Sequence, residues 1–385
     1  MAIQDPTGAR VMPVARLAVN VAFRVDASIN IGTGHVMRCL TLADALVAQG
    51  AQCYFISREH PGNLFEQIRQ RGHQLVVLPI CSVDERPDDV GSADAPAHAE
   101  WLGCDWRMDA EQTRRALDSL NIEWLVVDHY AIDANWERAL AGLYRRLLVI
   151  DDLADRLHVC DLLLDQTLGR QASDYKRWVP EPCKLLLGTQ YALLRPEFAE
   201  LREYSLERRK SPQLQRFLVT MGGVDKDNVT GLVLTGLERC VFLPDTTKLT
   251  VVMGPNAPWL AQVKEQAESL PWEVEVLVGA SNMATLMSEA DLAIGAAGST
   301  SWERCCLGVP TIMLTLADNQ RGVAHALESE RAVHVLPDLA SILISLPGLI
   351  AFWLASPQQL KEMSLAASTV TDGTGVQRLL GYLGV

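Results

Sequence analysis

The sequence predicts an α/β protein of two domains, each a parallel sheet with helices on both faces. Short apolar runs alternate with amphipathic segments from residue 17 onward, and a polar stretch at residues 203–215 separates two such series. The chain has 385 residues, and one core rarely extends past about 250–300 residues. We therefore place the domains at residues 17–204 and 205–385. Whether the last helix, near Gly375–Leu383, packs back on the first domain is left open by the sequence.

In the first series, short apolar runs predict strands and the segments between them predict helices. The predicted strands are Ala18–Val25, Gln52–Ile56, Gln74–Leu78, Trp124–Asp128 and Leu147–Ile150. The predicted helices include Glu111–Leu120 and Gly34–Gln49, where apolar side chains recur at spacings of three and four. Residues 81–108 are rich in Asp, Pro and Ser and predict a long excursion, and residues 1–15 predict a loose extension.

The second series repeats this alternation without a recognisable sequence repeat. Its predicted strands are Phe217–Met221, Lys248–Met253, Glu273–Leu277, Asp291–Ile294 and Pro310–Leu314. The longest mostly apolar run without charge, Leu339–Ala355, approaches the length of a membrane span. Because Pro347-Gly348 divides it, we expect two short buried helices there.

The net charge and the cysteine pattern argue against a nucleic-acid-binding protein and against a disulfide or zinc framework. The net charge is −13 and no basic block stands out, so we expect no nucleic-acid partner. An anionic ligand would then have to be held by local devices such as backbone N–H groups. The nine cysteines include no Cys-x-x-Cys pair, which favours scattered reduced thiols over disulfides or a zinc site. Together with the lack of a signal-peptide pattern, this predicts a cytoplasmic protein.

Ligands of open parallel sheets bind beyond the carboxyl ends of the strands, so the residues that follow each strand are informative. After the first strand comes the turn Gly32-Thr33-Gly34-His35, which opens a helix; Met37 replaces the third glycine of a dinucleotide fingerprint. The positive end of the helix dipole disfavours an imidazolium, so we expect a neutral His35 able to act as a general base. A His that merely packs at a helix start is the alternative, and the Gly-x-Gly-His context favours function.

Two further strand ends carry polar clusters. Asp128-His129-Tyr130 either meets a ligand or caps and packs locally, and the residues favour neither interpretation. The glycines Gly222 and Gly223 would let a phosphate or sugar lie close to the backbone. The polar residues after them, Asp225 and Asn228, are most simply helix N-caps.

The remaining clusters lie late in the chain. Gly298-Ser299-Thr300 at a helix start offers donors suited to a diphosphate, and Glu303 one turn later suits ribose hydroxyls. Thr300-x-x-Glu303 is also a capping-box pattern, and these residues alone favour a capping box over a ligand site. Asp318-Asn319-Gln320 argues mildly for a ligand, and the loop Gly279-Ala280-Ser281-Asn282 has an N-cap as its alternative. The dispersed histidines form no metal-ligand motif, which favours a metal-free mechanism.

These clusters, in this order, resemble a known family. Gly32-Thr-Gly-His-x-x-Arg38, Asp128-His-Tyr130, Met221-Gly-Gly-x-Asp225, Gly298-Ser-Thr-x-x-Glu303 and Asp318-Asn-Gln320 are similar to motifs of the UDP-2,4-diacetamido-2,4,6-trideoxy-β-L-altropyranose hydrolases of pseudaminic acid biosynthesis. Asp151-Asp152, Tyr191-Ala-Leu-Leu-Arg195 and Asp372-Gly-Thr-Gly375 support the resemblance, which spans about residue 20 to the C-terminus. Residues 1–16 and 81–108 have no counterpart in it.

The resemblance implies a GT-B architecture, in which two Rossmann-like domains face a cleft, and an inverting hydrolysis that releases UDP and the free sugar. It implies water as acceptor, no metal and no cofactor. His35 would assist the water, and Tyr130 and Asn319 would position sugar and nucleophile. The substrate-binding residues expected from the motifs are Asp26, Gly32, Gly34, Arg38, Gly222, Gly223, Gly279, Ser281, Asn282, Gly298, Ser299, Thr300, Glu303 and Gln320. We expect a monomer that does not associate with membranes.

Three alternatives share this architecture. A glycosyltransferase would pass the sugar to an acceptor other than water. A non-catalytic protein would bind a UDP-sugar and release nothing, and His35, Tyr130 and Asn319 together argue against it. An epimerase would leave a changed UDP-sugar.

Overall fold

A computed structural model describes residues 19–80 and 96–384 of the chain, so the predicted N-terminal extension and most of the excursion lie outside the described residues. The first sheet has seven parallel strands in the order β3-β2-β1-β4-β5-β6-β7. They are β1 (Asn20–Val25), β2 (Gln52–Arg58), β3 (Gln74–Leu78), β4 (Ile122–Asp128), β5 (Tyr144–Ile150), β6 (Leu162–Asp165) and β7 (Lys184–Leu187). The helices beside it are α1 (Gly34–Ala48), α2 (Phe65–Gln70), α3 (Trp106–Leu117), α4 (Ala134–Ala139) and α5 (Ala172–Tyr175).

The second sheet has six parallel strands in the order β10-β9-β8-β11-β12-β13. They are β8 (Arg216–Thr220), β9 (Lys248–Met253), β10 (Glu273–Val278), β11 (Leu292–Ala296), β12 (Thr311–Leu314) and β13 (His334–Val335). The later helices are α6 (Pro196–Arg208), α7 (Val229–Glu238), α8 (Leu260–Glu268), α9 (Met283–Glu289), α10 (Thr300–Cys306), α11 (Arg321–Ser329), α12 (Ile342–Ala355), α13 (Pro357–Val370) and α14 (Gly375–Leu383). Buried apolar clusters cover both faces of each sheet, which confirms the predicted fold class.

Both sheets reverse their strand order next to their first strand. The chain moves outward from β1 to β2 and β3, and then returns to place β4 on the other side of β1. The second sheet does the same with β8 and β11. Such a reversal opens a crevice at the carboxyl ends of the two central strands, where ligands of this class of sheet bind. The turns after β1, β4, β8 and β11 carry most of the predicted site residues, and the others follow β10 and β12.

The chain crosses between the domains twice, and the two crossings touch. Helix α6 joins the core of the second sheet through Phe198, so the predicted boundary at residues 204 and 205 falls inside a helix of the second domain. At the other crossing, α14 returns to the first sheet, where Val376 and Leu379 are buried. A Cβ on Gly375 would lie 2.3 Å from the carbonyl oxygen of Ala192. Only glycine therefore lets the two crossing segments pack this closely.

The structure corrects several local predictions. Residues 342–355 form one helix that contains Pro347, not two short helices, because Ile342, Leu346, Ile350 and Trp353 anchor successive turns in the core. Helix α3 begins at Trp106, ahead of the predicted Glu111, because Asp105 accepts the N–H of Arg107 as its N-cap. Among residues 19–80 and 96–384, no single helix meets the length and apolarity of a membrane span, although α12 and the following segment, bent by 100°, meet them together.

Candidate active site

His35 and Asp128 form a buried pair at the crevice of the first sheet. The last residue of β1, Val25, pairs with Asp128 at the end of β4, and His35 occupies the first turn of α1. Nδ1 of His35 lies 2.6 Å from Oδ1 of Asp128. With the proton of the ring on Nδ1, the imidazole donates to the carboxylate and keeps a lone pair on Nε2. The arrangement therefore fixes the tautomer that a general base needs.

Arg38 holds the Asp128 carboxylate in place. Its Nε and Nη2 lie 2.6 and 2.7 Å from the two Asp128 oxygens, and its Nη1 lies 2.7 Å from Oδ2 of Asp152. Burial alone would raise the pKa of Asp128, but Arg38 and then His35 hold it well below its usual range. Arg38 was expected to bind substrate. It is 7% exposed and bonded to these two carboxylates, so it supports the His35–Asp128 pair, and its contact with substrate stays a prediction.

Tyr130 stands beside the imidazole and joins the same network. The two rings meet edge to face with centroids 4.6 Å apart, and the Tyr130 hydroxyl donates to Asp152 over 2.8 Å. Burial, followed by the charge of Asp152, raises the pKa of Tyr130 well above its usual value, so the phenol stays protonated. The 3-10 turn at Ala99–Leu102 adds Trp101, whose ring stacks on Tyr130 at 5.9 Å.

Asp26 lies behind the site. Its side chain is fully buried, 2.7 Å from Nη1 of Arg24 and 3.3 Å from Nε2 of His129. Arg24 in turn donates to Asp109. Asp26 was among the residues expected to bind substrate. Its direction into the interior corrects that expectation, since the carboxylate faces fixed protein partners.

The second domain brings two turns against the start of α1. A Cβ on Gly34 would lie 3.1 Å from Oγ of Ser299, and a Cβ on Gly223 would lie 3.5 Å from the side chain of Thr33. The turns after β1, β8 and β11 are thus neighbours across the cleft. The close approaches involve Thr33, Gly34, Gly223 and Ser299, which are the chain neighbours of His35, Gly222 and Gly298 in these turns.

The capping box expected at α10 is not formed. Ser299 occupies the N-cap position, and no side chain caps this helix end. Thr300 instead accepts a hydrogen bond from Nη1 of Arg304 over 3.1 Å. Glu303 lies 3.8 Å from Arg195, and burial raises its pKa to about 7. The Ser299 and Thr300 hydroxyls and Glu303 are therefore not used up by capping the helix.

The N-cap alternative is confirmed after β8. Asp225 accepts the backbone N–H groups of Val229 and Thr230 at 2.9 Å, and Asn228 accepts that of Gly231 at 3.2 Å.

The turn after β12 stands apart from the His35 network. Asn319 is exposed, and Gln320 accepts the backbone N–H of Leu316. Because β12 pairs with β11, Asn319 shares the sheet edge of Ser299, but the hydrogen bonds around His35 do not reach it.

A cavity of about 630 Å³ lies where the loop after β10 meets α1. Gly279 and Ser281 line it together with Thr41 and Arg195. The Arg195 guanidinium donates to the Ser281 carbonyl over 3.1 Å. Asn282 begins α9 without a capping hydrogen bond from its side chain. The cavity thus includes part of the loop 279–282 that was expected to bind substrate, whereas His35 and the Ser299 turn lie outside its lining.

Sequence reasoning gave no role to Asp152, Trp101, Arg195 or Arg304. Asp152 lies two residues after the end of β5, which was an available signal, since β5 pairs with β4. Trp101 lies in the predicted excursion at residues 81–108, and no feature of the sequence indicated that it would lie near the site. Among residues 19–80 and 96–384, no group of three or more His, Cys, Asp or Glu side chains could hold a metal ion.

Comparison with known proteins supports the same architecture. Residues 218–378 match the family model of the glycosyltransferase family 28 C-terminal domain. The crystal structure of Acinetobacter baumannii MurG superposes with a TM-score of 0.67 at 16% identity and covers 95% of this chain and 99% of its own. The chain therefore has the GT-B fold of two parallel-sheet α/β domains.

Two curated proteins are similar along most of this chain. MJ1062 of Methanocaldococcus jannaschii is 22% identical over 79% of this chain, and the match spans 57% of that protein. The UDP-2,4-diacetamido-2,4,6-trideoxy-β-L-altropyranose hydrolase of Campylobacter jejuni is 26% identical over 80% of this chain and 95% of its own length.

Proposed function

We propose that this protein hydrolyses a UDP-linked 2,4-diacetamido-2,4,6-trideoxy sugar, with UDP-2,4-diacetamido-2,4,6-trideoxy-β-L-altrose as the foremost substrate. The products are UDP and the free sugar. One observation carries the proposal: the tautomer-fixed His35 adjoins a hydroxyl-rich turn of the opposite domain, since a Cβ placed on the neighbouring Gly34 would lie 3.1 Å from Oγ of Ser299. The similarity to the Campylobacter hydrolase supports the choice of sugar.

In the proposed reaction, Nε2 of His35 takes a proton from water as the water oxygen attacks the anomeric carbon. The bond between that carbon and the diphosphate oxygen breaks, and its electron pair leaves with UDP. Attack from the face opposite the leaving group inverts the anomeric configuration. Asp128 stabilises the imidazolium that forms, and the proton then passes to solvent.

The second domain would hold the leaving group. Hydroxyl and backbone donors at Ser299 and Thr300 face the negative charge that grows on the diphosphate. Glu303 would accept from ribose hydroxyls, and the loop 279–282 would lie beside uracil. Tyr130 and Asn319 would contact the sugar and the attacking water, which requires Asn319 to approach from the edge of the second sheet.

The test is incubation with the UDP-sugar alone in H₂¹⁸O, followed by NMR and mass spectrometry. We expect UDP release without an acceptor, inversion at C1, and ¹⁸O on the sugar. Several UDP-diacetamido stereoisomers and UDP-N-acetylglucosamine, offered in parallel, define the stereochemistry that the pocket accepts. Recovery of unchanged substrate from the whole set, with UDP still bound by the protein, would contradict hydrolysis.

A glycosyltransferase is the second candidate, favoured by the family 28 match over residues 218–378. It would release UDP only when an acceptor is added, and ¹⁸O would be absent from the sugar. The same incubation therefore separates the two reactions.

A further inference from the structure

Arg304 is a buried cation placed under the turn proposed to hold the diphosphate. Its side chain belongs to α10 and is 1% exposed. Nη2 donates to the Ala296 carbonyl over 2.7 Å and lies 3.2 Å from Oγ of Ser301, and Nη1 donates to Oγ1 of Thr300. Nε is buried without a hydrogen-bond partner. All of these acceptors are neutral.

Four other buried arginines of the described chain are compensated by carboxylates. Arg24, Arg38, Arg58 and Arg156 each lie within 2.8 Å of a carboxylate oxygen. Arg209 is buried too, and it donates to carbonyls at the negative end of α9, including Met287 and Ala290 at 2.9 Å. Arg304 differs because its guanidinium reaches back to the first turn of α10, where the helix dipole is positive.

This placement is electrostatically unfavourable without a ligand. Burial lowers the pKa of Arg304 to about 10, and the acid next to it, Glu303, faces Arg195 instead. The fold nevertheless leaves space for the Arg304 guanidinium. Residue 295 is a glycine, and a Cβ at this position would lie only 2.7 Å from Nη1 of Arg304. A buried charge of this kind is costly unless an opposite charge comes close.

We infer that Arg304 is a positioning residue for the diphosphate of a bound nucleoside diphosphate, an inference that rests on the proposed function. An N–H of Arg304 occupies a lone pair of the Thr300 oxygen, so the Thr300 hydroxyl hydrogen is free to point toward a phosphate oxygen. The guanidinium also supplies a positive charge from behind the turn, in surroundings where water screens it little. Arg304 acts through Thr300 and through its field, without touching the ligand.

The experiment compares Arg304→Met and Arg304→Lys by calorimetric binding of UDP, UMP and uridine. We expect the Met variant to lose at least about tenfold in UDP affinity, with uridine affinity changed less than about twofold, and the Lys variant to recover part of the loss. The unfolding midpoint of the ligand-free Met variant should stay at or above that of the wild type, because an uncompensated charge is removed. Arg209→Met is the matched control: it should lower the midpoint and leave the ratio of UDP to uridine affinity unchanged.

Two results would overturn the inference: unchanged UDP affinity in Arg304→Met, or an equal loss for UDP and uridine, which a purely structural role produces. If Arg304→Met does not fold, Arg304→Lys and Thr300→Val decide, because both must weaken UDP more than uridine. A wild-type protein that binds UDP but hydrolyses no UDP-sugar contradicts the proposed function while the Arg304 comparison still stands. A wild-type protein that binds neither UDP nor pyrophosphate contradicts both.

Discussion

The two faces of the cleft are built on different principles. On the first domain, buried charges are paired with one another: Arg24 with Asp26 and Asp109, and Arg38 with Asp128 and Asp152. On the second domain, the facing groups are backbone turns, hydroxyls and the unpaired cation Arg304. The first face is complete without a ligand, whereas on the second face no carboxylate of the described residues lies within ion-pair distance of Arg304.

The polar groups of the first face are therefore fixed before a ligand binds, whereas those of the second face are left to recognise a ligand. The paired network holds His35 in one tautomer before substrate arrives, which is what a catalytic base requires. The unpaired face leaves hydrogen-bond donors and positive charge available, which suits the anion binding proposed above. Changes on the first domain should therefore alter turnover or stability, and changes on the second should alter binding.

The largest effect is expected from His35→Ala. If Nε2 of His35 is the general base, turnover of the UDP-sugar should fall by about 10²–10⁴-fold, while UDP affinity stays within about twofold of the wild type. Stopped-assay NMR measures turnover, and calorimetry measures UDP binding. His325→Ala, which removes an exposed imidazole from α11, is the control. Unchanged turnover in His35→Ala would remove this residue from the role.

The second-largest effect is expected on the stability of the paired network, which Asp109→Asn tests. The Asp109 carboxylate accepts from Arg24 and Arg58 at 2.6 Å and from the Trp136 indole at 2.9 Å. Its loss leaves two buried cations short of a counter-charge, so the free energy of unfolding should fall by about 3–5 kcal/mol. Urea denaturation measures this. A destabilisation no larger than that of Arg304→Met would contradict the contrast between the two faces.

A pH dependence sharpens the comparison on the second domain. Burial raises the pKa of Glu303 to about 7 in the folded protein from an ordinary 4.5. The wild type therefore loses stability as pH rises from about 4.5 to 7, where the unfolded chain ionises first. Glu303→Gln escapes this loss, so its stability relative to the wild type should rise by up to about 3 kcal/mol across that window. Glu289→Gln, at an exposed site, should show no such trend, and a flat difference for Glu303→Gln would refute the raised pKa.

How far the sequence predicts the site depends on what local pattern can encode. His35 was singled out because it follows the Gly32-Thr33-Gly34 turn at a predicted helix start, whereas Asp128 was left open between a ligand contact and a local cap. Their pairing depends on β4 lying beside β1, a non-local choice that periodicity does not reveal. Asp26 shows the limit at a single position: the pattern places it at a strand end, but packing against Arg24 turns its side chain inward.

The same limit applies to the fold. The strands β6 and β7, each of four residues, were not predicted, because a short apolar run does not distinguish strand from helix. The helix break predicted at Pro347 does not occur, because α12 contacts the core on both sides of this residue. Predictions succeeded where several strands and turns recur in order, and failed where a single tertiary contact decides.

The smallest effect is expected from Trp101→Leu, which tests whether the excursion belongs to the first face. Trp101 stacks on Tyr130 and packs against His98 at 4.3 Å between ring centroids. Losing these ring contacts should cost about 0.5–1.5 kcal/mol of stability. If Tyr130 contacts the sugar, the looser ring should also raise KM for the UDP-sugar by about three- to tenfold and leave UDP affinity unchanged. Trp101→Phe keeps a stacking ring and should restore most of both. A stability loss with unchanged KM would mean that the excursion covers Tyr130 without shaping the sugar pocket, and the first face would then end at Tyr130.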